Sequence, residues 1–198
     1  MRRRGGSPLA QLPTPDPAPP FCGAAVFSPC GRYRWWLERH WPAAAGRSGI
    51  TAAGRLLFIG LNPSRAGADR DDPTLRRLQG FARSWGFAAL EVVNLFGRIS
   101  PSPAVLRRLQ EPVGPANDHW IAERLEACDA VWLGWGNGGL WGDRHRQVLQ
   151  LVGAAARPVG CIGHTAAGQP RHPLYAPALS AWRPWAPAPG LRHPGGVF

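Results

Sequence analysis

The stretch Arg55 to Ser64, R-L-L-F-I-G-L-N-P-S, decides how the rest of the chain is read. Leu56 to Ile59 is continuously apolar, the pattern of a strand buried on both faces of a parallel sheet. Gly60 and Pro63 then end the ladder, since glycine tolerates unusual dihedrals and proline has no amide hydrogen to donate. Gly60, Leu61, Asn62, Pro63 and Ser64 are therefore expected at the carboxyl end of a central strand, the edge where open α/β sheets bind ligands.

Working outward, three more apolar runs end in turns that carry polar groups. Ala89 to Leu95 closes in Asn94, Leu95 and Phe96, and Ala130 to Trp135 runs into G-W-G-N-G-G with Asn137. Pro158 to Ile162 leads into G-H-T-A-A-G-Q-P-R-H-P-L-Y, which holds Arg171 and His172. Between them lie helical stretches. Asp72 is an N-cap candidate before Pro73, and Leu75, Leu78, Phe81, Ala82 and Trp85 recur at helical spacing until Gly86. Shorter helices are expected over Ala104 to Gln110, from Pro115 to Cys128, and from Leu140 to Val152. Alternating strands and helices imply right-handed crossovers and a parallel sheet covered on both faces. The expected fold is a single-domain, three-layer α/β/α arrangement with a four-stranded, mainly parallel sheet. Phe21 to Phe27 and Arg32 to Trp41 read as an N-terminal β-hairpin at its edge.

The domain is expected over residues 21–176. Residues 1–20 are rich in Pro and Gly and read as a disordered tail, residues 42–54 as a loop, and 177–198 as a second Pro- and Trp-rich tail. No apolar run approaches a membrane span, and the basic start leads into Pro-rich sequence rather than an apolar leader, so the expectation is a cytoplasmic monomer. Cys22, Cys30, Cys128 and Cys161 form no C-x-x-C pair or zinc spacing, so reduced, mostly buried thiols are expected, with no metal and no cofactor.

The net charge of +11 favours a polyanionic partner. Its distribution matters, because residues 111–150 carry three arginines against six acids while the segments with the turn motifs are basic. Every basic side chain besides histidine is arginine, which excludes a Walker-type phosphate loop and a lysine Schiff base. Arg76 and Arg77, in the first turn of a helix where cations are unfavourable, are expected to meet an anion together with Arg171. A neutral amide such as Asn62 can orient a water or bind a base edge but cannot act as a base. Asn94, inside an apolar strand end, needs partners if buried, which points to a ligand. His172, flanked by Pro170 and Pro173, has a rigid setting. Asp69, Asp71 and Asp72 could add a carboxylate, and Phe81 or Trp85 a stacking face, although both aromatics follow the core periodicity.

The series L-N-P-S (61–64), D-D-P-T-L-R-R (71–77), V-V-N-L-F (92–96), P-V-G-P-A-N-D (112–118), G-W-G (134–136) and G-Q-P-R-H-P-L-Y (168–175) resembles a family of bacterial and phage proteins known as a domain of unknown function. The resemblance covers about residues 21–176. A remoter resemblance is to the uracil-DNA glycosylase superfamily, in which a G-I-N-P-G turn follows the first core strand, an Asn ends the second and a His-Pro turn follows the last. H-P-L-Y stands here where that superfamily has H-P-S-P, and D-D-P-T-L-R-R has no counterpart. The likeness implies a uracil-DNA-glycosylase-like fold and a monofunctional glycosylase hydrolysing the N-glycosidic bond of a deaminated or modified pyrimidine in DNA. Asn62 would hold the water, Asn94 read the flipped base and His172 stabilise the departing charge. Two alternatives stand beside it: a nucleotide- or nucleoside-binding enzyme or module using the same crevice, with Arg76 and Arg77 on a phosphate, and a non-catalytic DNA-binding accessory protein, which needs only the basic surface and the tails.

Overall fold

The structure, a computed structural model, describes residues 22–41, 54–64, 67 and 70–185. The expectations for residues 1–20, for nearly all of the 42–54 loop, for Asp69 and for 186–198 lie outside the described residues. One mixed sheet organises the chain. Its strands are β1 (Gly23–Phe27), β2 (Arg34–His40), β3 (Arg55–Gly60), β4 (Ala89–Asn94), β5 (Ala130–Leu133), β6 (Val159–Cys161) and β7 (Arg183–Pro184), in the order β1-β2-β4-β3-β5-β6-β7.

The four expected strands are parallel to one another, with Gly60 level with Asn94 and Ile59 level with Leu133. The sheet nevertheless has seven strands and mixed direction, because the β1–β2 hairpin joins β4 antiparallel and β7 joins β6 antiparallel. β7 lies past residue 176, so the sheet reaches into the segment expected to be tail. Trp182 and Trp185 pack against the two cores there.

Both faces of the sheet are covered, which explains the uninterrupted apolar run of β3. Leu57 and Ile59 face one core, closed by α3 (Asn117–Ala127) and α4 (Arg144–Ala154) through Ile121, Leu125, Val148 and Val152. Leu56 and Phe58 face the other, closed by α1 (Pro73–Ser84) through Leu75, Leu78, Phe81 and Ala82. Each large apolar side chain so buried contributes about 1.5–3 kcal/mol. Phe81 and Trp85 belong to an aromatic cluster with Phe58 and Trp132, so both are core.

α1 starts as expected, with Asp72 accepting from the Leu75 amide and Pro73 in the first helical position. α2 is shorter than expected, Pro103–Leu106, with Ser102 as its cap. The helix expected from Leu140 begins only at Arg144. A 3-10 stretch, Gly136–Asp143, precedes it, broken by non-helical dihedrals at Trp141 and a left-handed Gly142. All four cysteines are free, and only Cys128 and Cys161 are buried. Among the described residues no helix is long and apolar enough to cross a membrane, and no three His, Cys, Asp or Glu side chains group as metal ligands.

Candidate functional site

The turn after β3 is held in place by its neighbours. The Leu95 amide donates to the Gly60 carbonyl at 2.9 Å, the Phe96 amide to the Leu61 carbonyl at 3.0 Å and the Ser100 amide to the Pro63 carbonyl at 3.2 Å. Gly60 is required by close approach, since a Cβ there would lie 2.9 Å from both Asn94 Oδ1 and Phe58 Cε1. Gly134, the first glycine of G-W-G, makes room for the Phe58 ring in the same way, with 2.4 Å left for a Cβ. The glycines at the strand ends thus bring Asn94 and Phe58 up to one another.

Two connected cavities open at this edge. An inner pit of about 80 Å³ is walled by Phe58, Val92, Leu75 and Leu78 together with Arg34, Asp72 and Asn94. An outer cleft of about 760 Å³ is lined by Ser100, Arg107, Trp135, Asn137, Arg171 and Tyr175, among others. Leu61, Asn62, Ser64, Thr74 and His172 line both, so they mark the junction.

At that junction the Asn62 Nδ2 donates to the carbonyls of Pro63 at 3.1 Å and Ser100 at 3.0 Å. Its amide is therefore fixed with Oδ1 as the remaining acceptor. Ser64 donates its hydroxyl to Asp72 Oδ2, and Asp72 Oδ1 accepts from the Leu75 amide at 2.7 Å. His172 Nδ1 accepts from the Leu174 amide at 3.3 Å, which leaves the ring proton on Nε2. Burial holds the imidazole below its usual pKa, and the nearby Asp72 carboxylate opposes this only in part. His172 is a neutral donor at pH 7.

Asn94 is 4% exposed, and its Nδ2 has no hydrogen-bond partner. The backbone around it is well satisfied: Asn117 Nδ2 donates to the Asn94 and Leu95 carbonyls at 3.0 and 3.1 Å, and Arg144 Nε to the Leu95 carbonyl at 2.8 Å. The P-A-N-D motif thus braces the end of β4. D-D-P-T-L-R-R braces the other side. Asp71 holds the buried Arg39 at 3.0 Å and accepts from Gln79, and Arg77 donates to the carbonyls of Pro173, at 2.8 Å, and Ala176.

Asn62, Ser64, Asn94 and His172 therefore come together, with Gly60 and Leu61 lining the same pit. Asn137 and Arg171 stand on the outer cleft, where Asn137 Oδ1 accepts from Thr165 at 2.6 Å. Pro63 is buried, and its one carbonyl accepts from both Asn62 Nδ2 and the Ser100 amide. Phe96 is 3% exposed and packs on Trp141 at 4.9 Å, lining neither cavity. Arg76 and Arg77 line neither cavity as well: Arg76 donates to the Asp71 carbonyl and Arg77 lies over Phe81. Sequence reading passed over Arg34, Thr74, Arg107 and Tyr175. The one signal for Arg34 was a cation inside the aromatic run Y-R-W-W.

No curated protein and no solved structure matches the chain, so the resemblance to uracil-DNA glycosylases gains no support from these comparisons. One family model matches residues 34–174, from the arginine of the pit to the leucine beside His172 and well over half of the chain. The chain belongs to the family described as a protein of unknown function, DUF1643.

Proposed function

We propose that this protein is a monofunctional glycosylase-like hydrolase acting on a deaminated or modified pyrimidine in DNA. The observation that carries the reading is the position of Asn62 and His172 at the junction between a small pit and a large cleft. A flipped base in the pit and its sugar-phosphate in the cleft would place the glycosidic bond between those two side chains. The pit matches a single-ring base in scale and offers it an apolar wall of Phe58 and Val92, side by side on one face of the sheet, with the Asn94 amide as a polar partner. Arg107 and Arg171 are exposed on the cleft and suit phosphates.

In this reaction the C1′–N bond breaks with its electron pair on the base. A water oxygen bonds C1′, and one water proton ends on the base nitrogen through solvent. Asn62 Oδ1 accepts a hydrogen bond from that water and orients it, without acting as a base. His172, neutral and protonated at Nε2, donates to the charge developing on a ring carbonyl.

The test is incubation with oligonucleotides bearing uracil and 5-substituted pyrimidines, followed by alkali. Breaks should appear only after alkali, and borohydride should trap no adduct, because no lysine is present to form an imine. No breaks across the panel, with thermal stabilisation by free nucleotides instead, would favour the nucleotide-binding reading.

A further inference from the structure

Arg34 reaches the pit from the hairpin, an element with no expected part in the site. It opens β2, is 4% exposed, and its amide donates to the Gly97 carbonyl at 3.0 Å, which sets it beside the exit of β4. Contacts within the fold hold it there. Burial lowers its pKa to about 10, with Asp72 opposing and Arg39 adding to the shift, so the guanidinium is charged at neutral pH. A cation thus forms part of the wall of a cavity shared by the apolar Phe58, Leu75, Leu78 and Val92 and the polar Asp72 and Asn94.

The polar groups of that wall are unequal. Arginine is a donor only, and the buried Asn94 Nδ2 is a donor with no partner. Both Asp72 oxygens already accept, one from Leu75 and one from Ser64. The orphan of the wall is thus the Asn94 Nδ2 donor, and an acceptor atom of a ligand seated beside the Arg34 guanidinium satisfies it.

We propose that Arg34 is a further catalytic residue of the excision reaction, donating to the departing base and holding it as an anion. The inference rests on the hydrolase reading above. When the C1′–N bond breaks, the electron pair that stays on the base is shared with its ring carbonyls, and the guanidinium meets that charge in the pit. The substrates that need Arg34 most are pyrimidines that leave poorly. Bases with an electron-withdrawing 5-substituent need it least.

The experiment uses the full chain and 5-nitrouracil, a free base whose neutral and ionised forms absorb at different wavelengths. Bound to the wild-type protein it should ionise at a pH lower by about one unit, a tenfold shift in its ionisation equilibrium. Arg34→Met should abolish that shift and Arg34→Lys keep part of it. In oligonucleotides, Arg34→Met should slow excision of unsubstituted uracil on the order of 100-fold and of a 5-halogenated uracil far less. If Arg34→Met fails to fold, Arg34→Lys reads the inference, since a shift as large as the wild type's in that variant, which lacks the planar pair of donors, would overturn it. Binding without a shift, alongside intact excision, overturns the role of Arg34 and leaves the hydrolase reading standing. Neither binding nor excision removes both.

Discussion

Two buried arginines flank the exit of β4, and they do different work. Arg144, 2% exposed on α4, directs its guanidinium wholly into the protein, to the Leu95 carbonyl, Asp118 and Gln147. Arg34, 4% exposed on the opposite side, forms part of a cavity wall. Burial alone does not separate a brace from a ligand group. What separates them is whether space remains in front of the side chain.

The largest expected effect sharpens that contrast through stability. Arg144→Met removes a donor from the Leu95 carbonyl, which keeps only Asn117, and breaks an ion pair whose acid is 55% exposed and so adds little. A loss of about 2 kcal/mol is expected in urea unfolding, with base binding by the folded protein largely kept. If Arg34→Met loses as much stability yet binds bases normally, the contrast between the two arginines collapses.

Asp72→Asn is the next probe. Asparagine caps a helix as well as aspartate, so the change keeps the bond from Leu75. It removes the charge near Arg34 and turns the acceptor of the Ser64 hydroxyl into a donor, so a fall of about 1 kcal/mol is expected. A larger fall would mean that the carboxylate, rather than the cap, holds the turn. Smaller still, Arg171→Ala should weaken binding to an abasic duplex a few-fold and reduce the salt slope by about one, leaving free-base binding unchanged. Loss of free-base binding instead would place Arg171 at the pit.

The smallest effect at neutral pH comes from His172. Its folded-state pKa lies below the unfolded value of about 6.5, so its contribution to stability is complete above that pH and is lost as pH falls through the folded pKa. His145, also lowered by burial, acts in the same direction. His172→Asn should therefore flatten the melting temperature below about pH 6.5 and leave it unchanged at pH 8. A wild-type curve already flat between pH 7 and 5 would contradict a half-buried imidazole held neutral.

How far the sequence could be read depended on where each group's partners lie. The four parallel strands were legible because their apolar runs are uninterrupted and each ends in glycine or a polar turn. The Asp72 cap was legible because its partner is three residues away. β7 was hidden because it is two residues long and one of them is proline, the residue least able to extend a ladder. Phe96 was misleading because an aromatic at a strand end reads as a stacking platform, whereas Trp141, 45 positions on, takes it into the core. Arg77 misled likewise. Its position near the start of α1 suggested an anion, and its partners are carbonyls 96 and 99 residues away.

Those two carbonyls have a mechanical consequence. Arg77 reaches from α1 to Pro173 and Ala176, the start and the far side of the short turn that follows His172. The histidine and the helix capped by Asp72 thus move as one lever. The turn cannot swing away as an independent lid without first releasing a guanidinium from two acceptors. Amide hydrogens of Tyr175 and Ala176 should accordingly exchange at the pace of the early turns of α1, and a ligand should find His172 already in position when it arrives through the outer cleft.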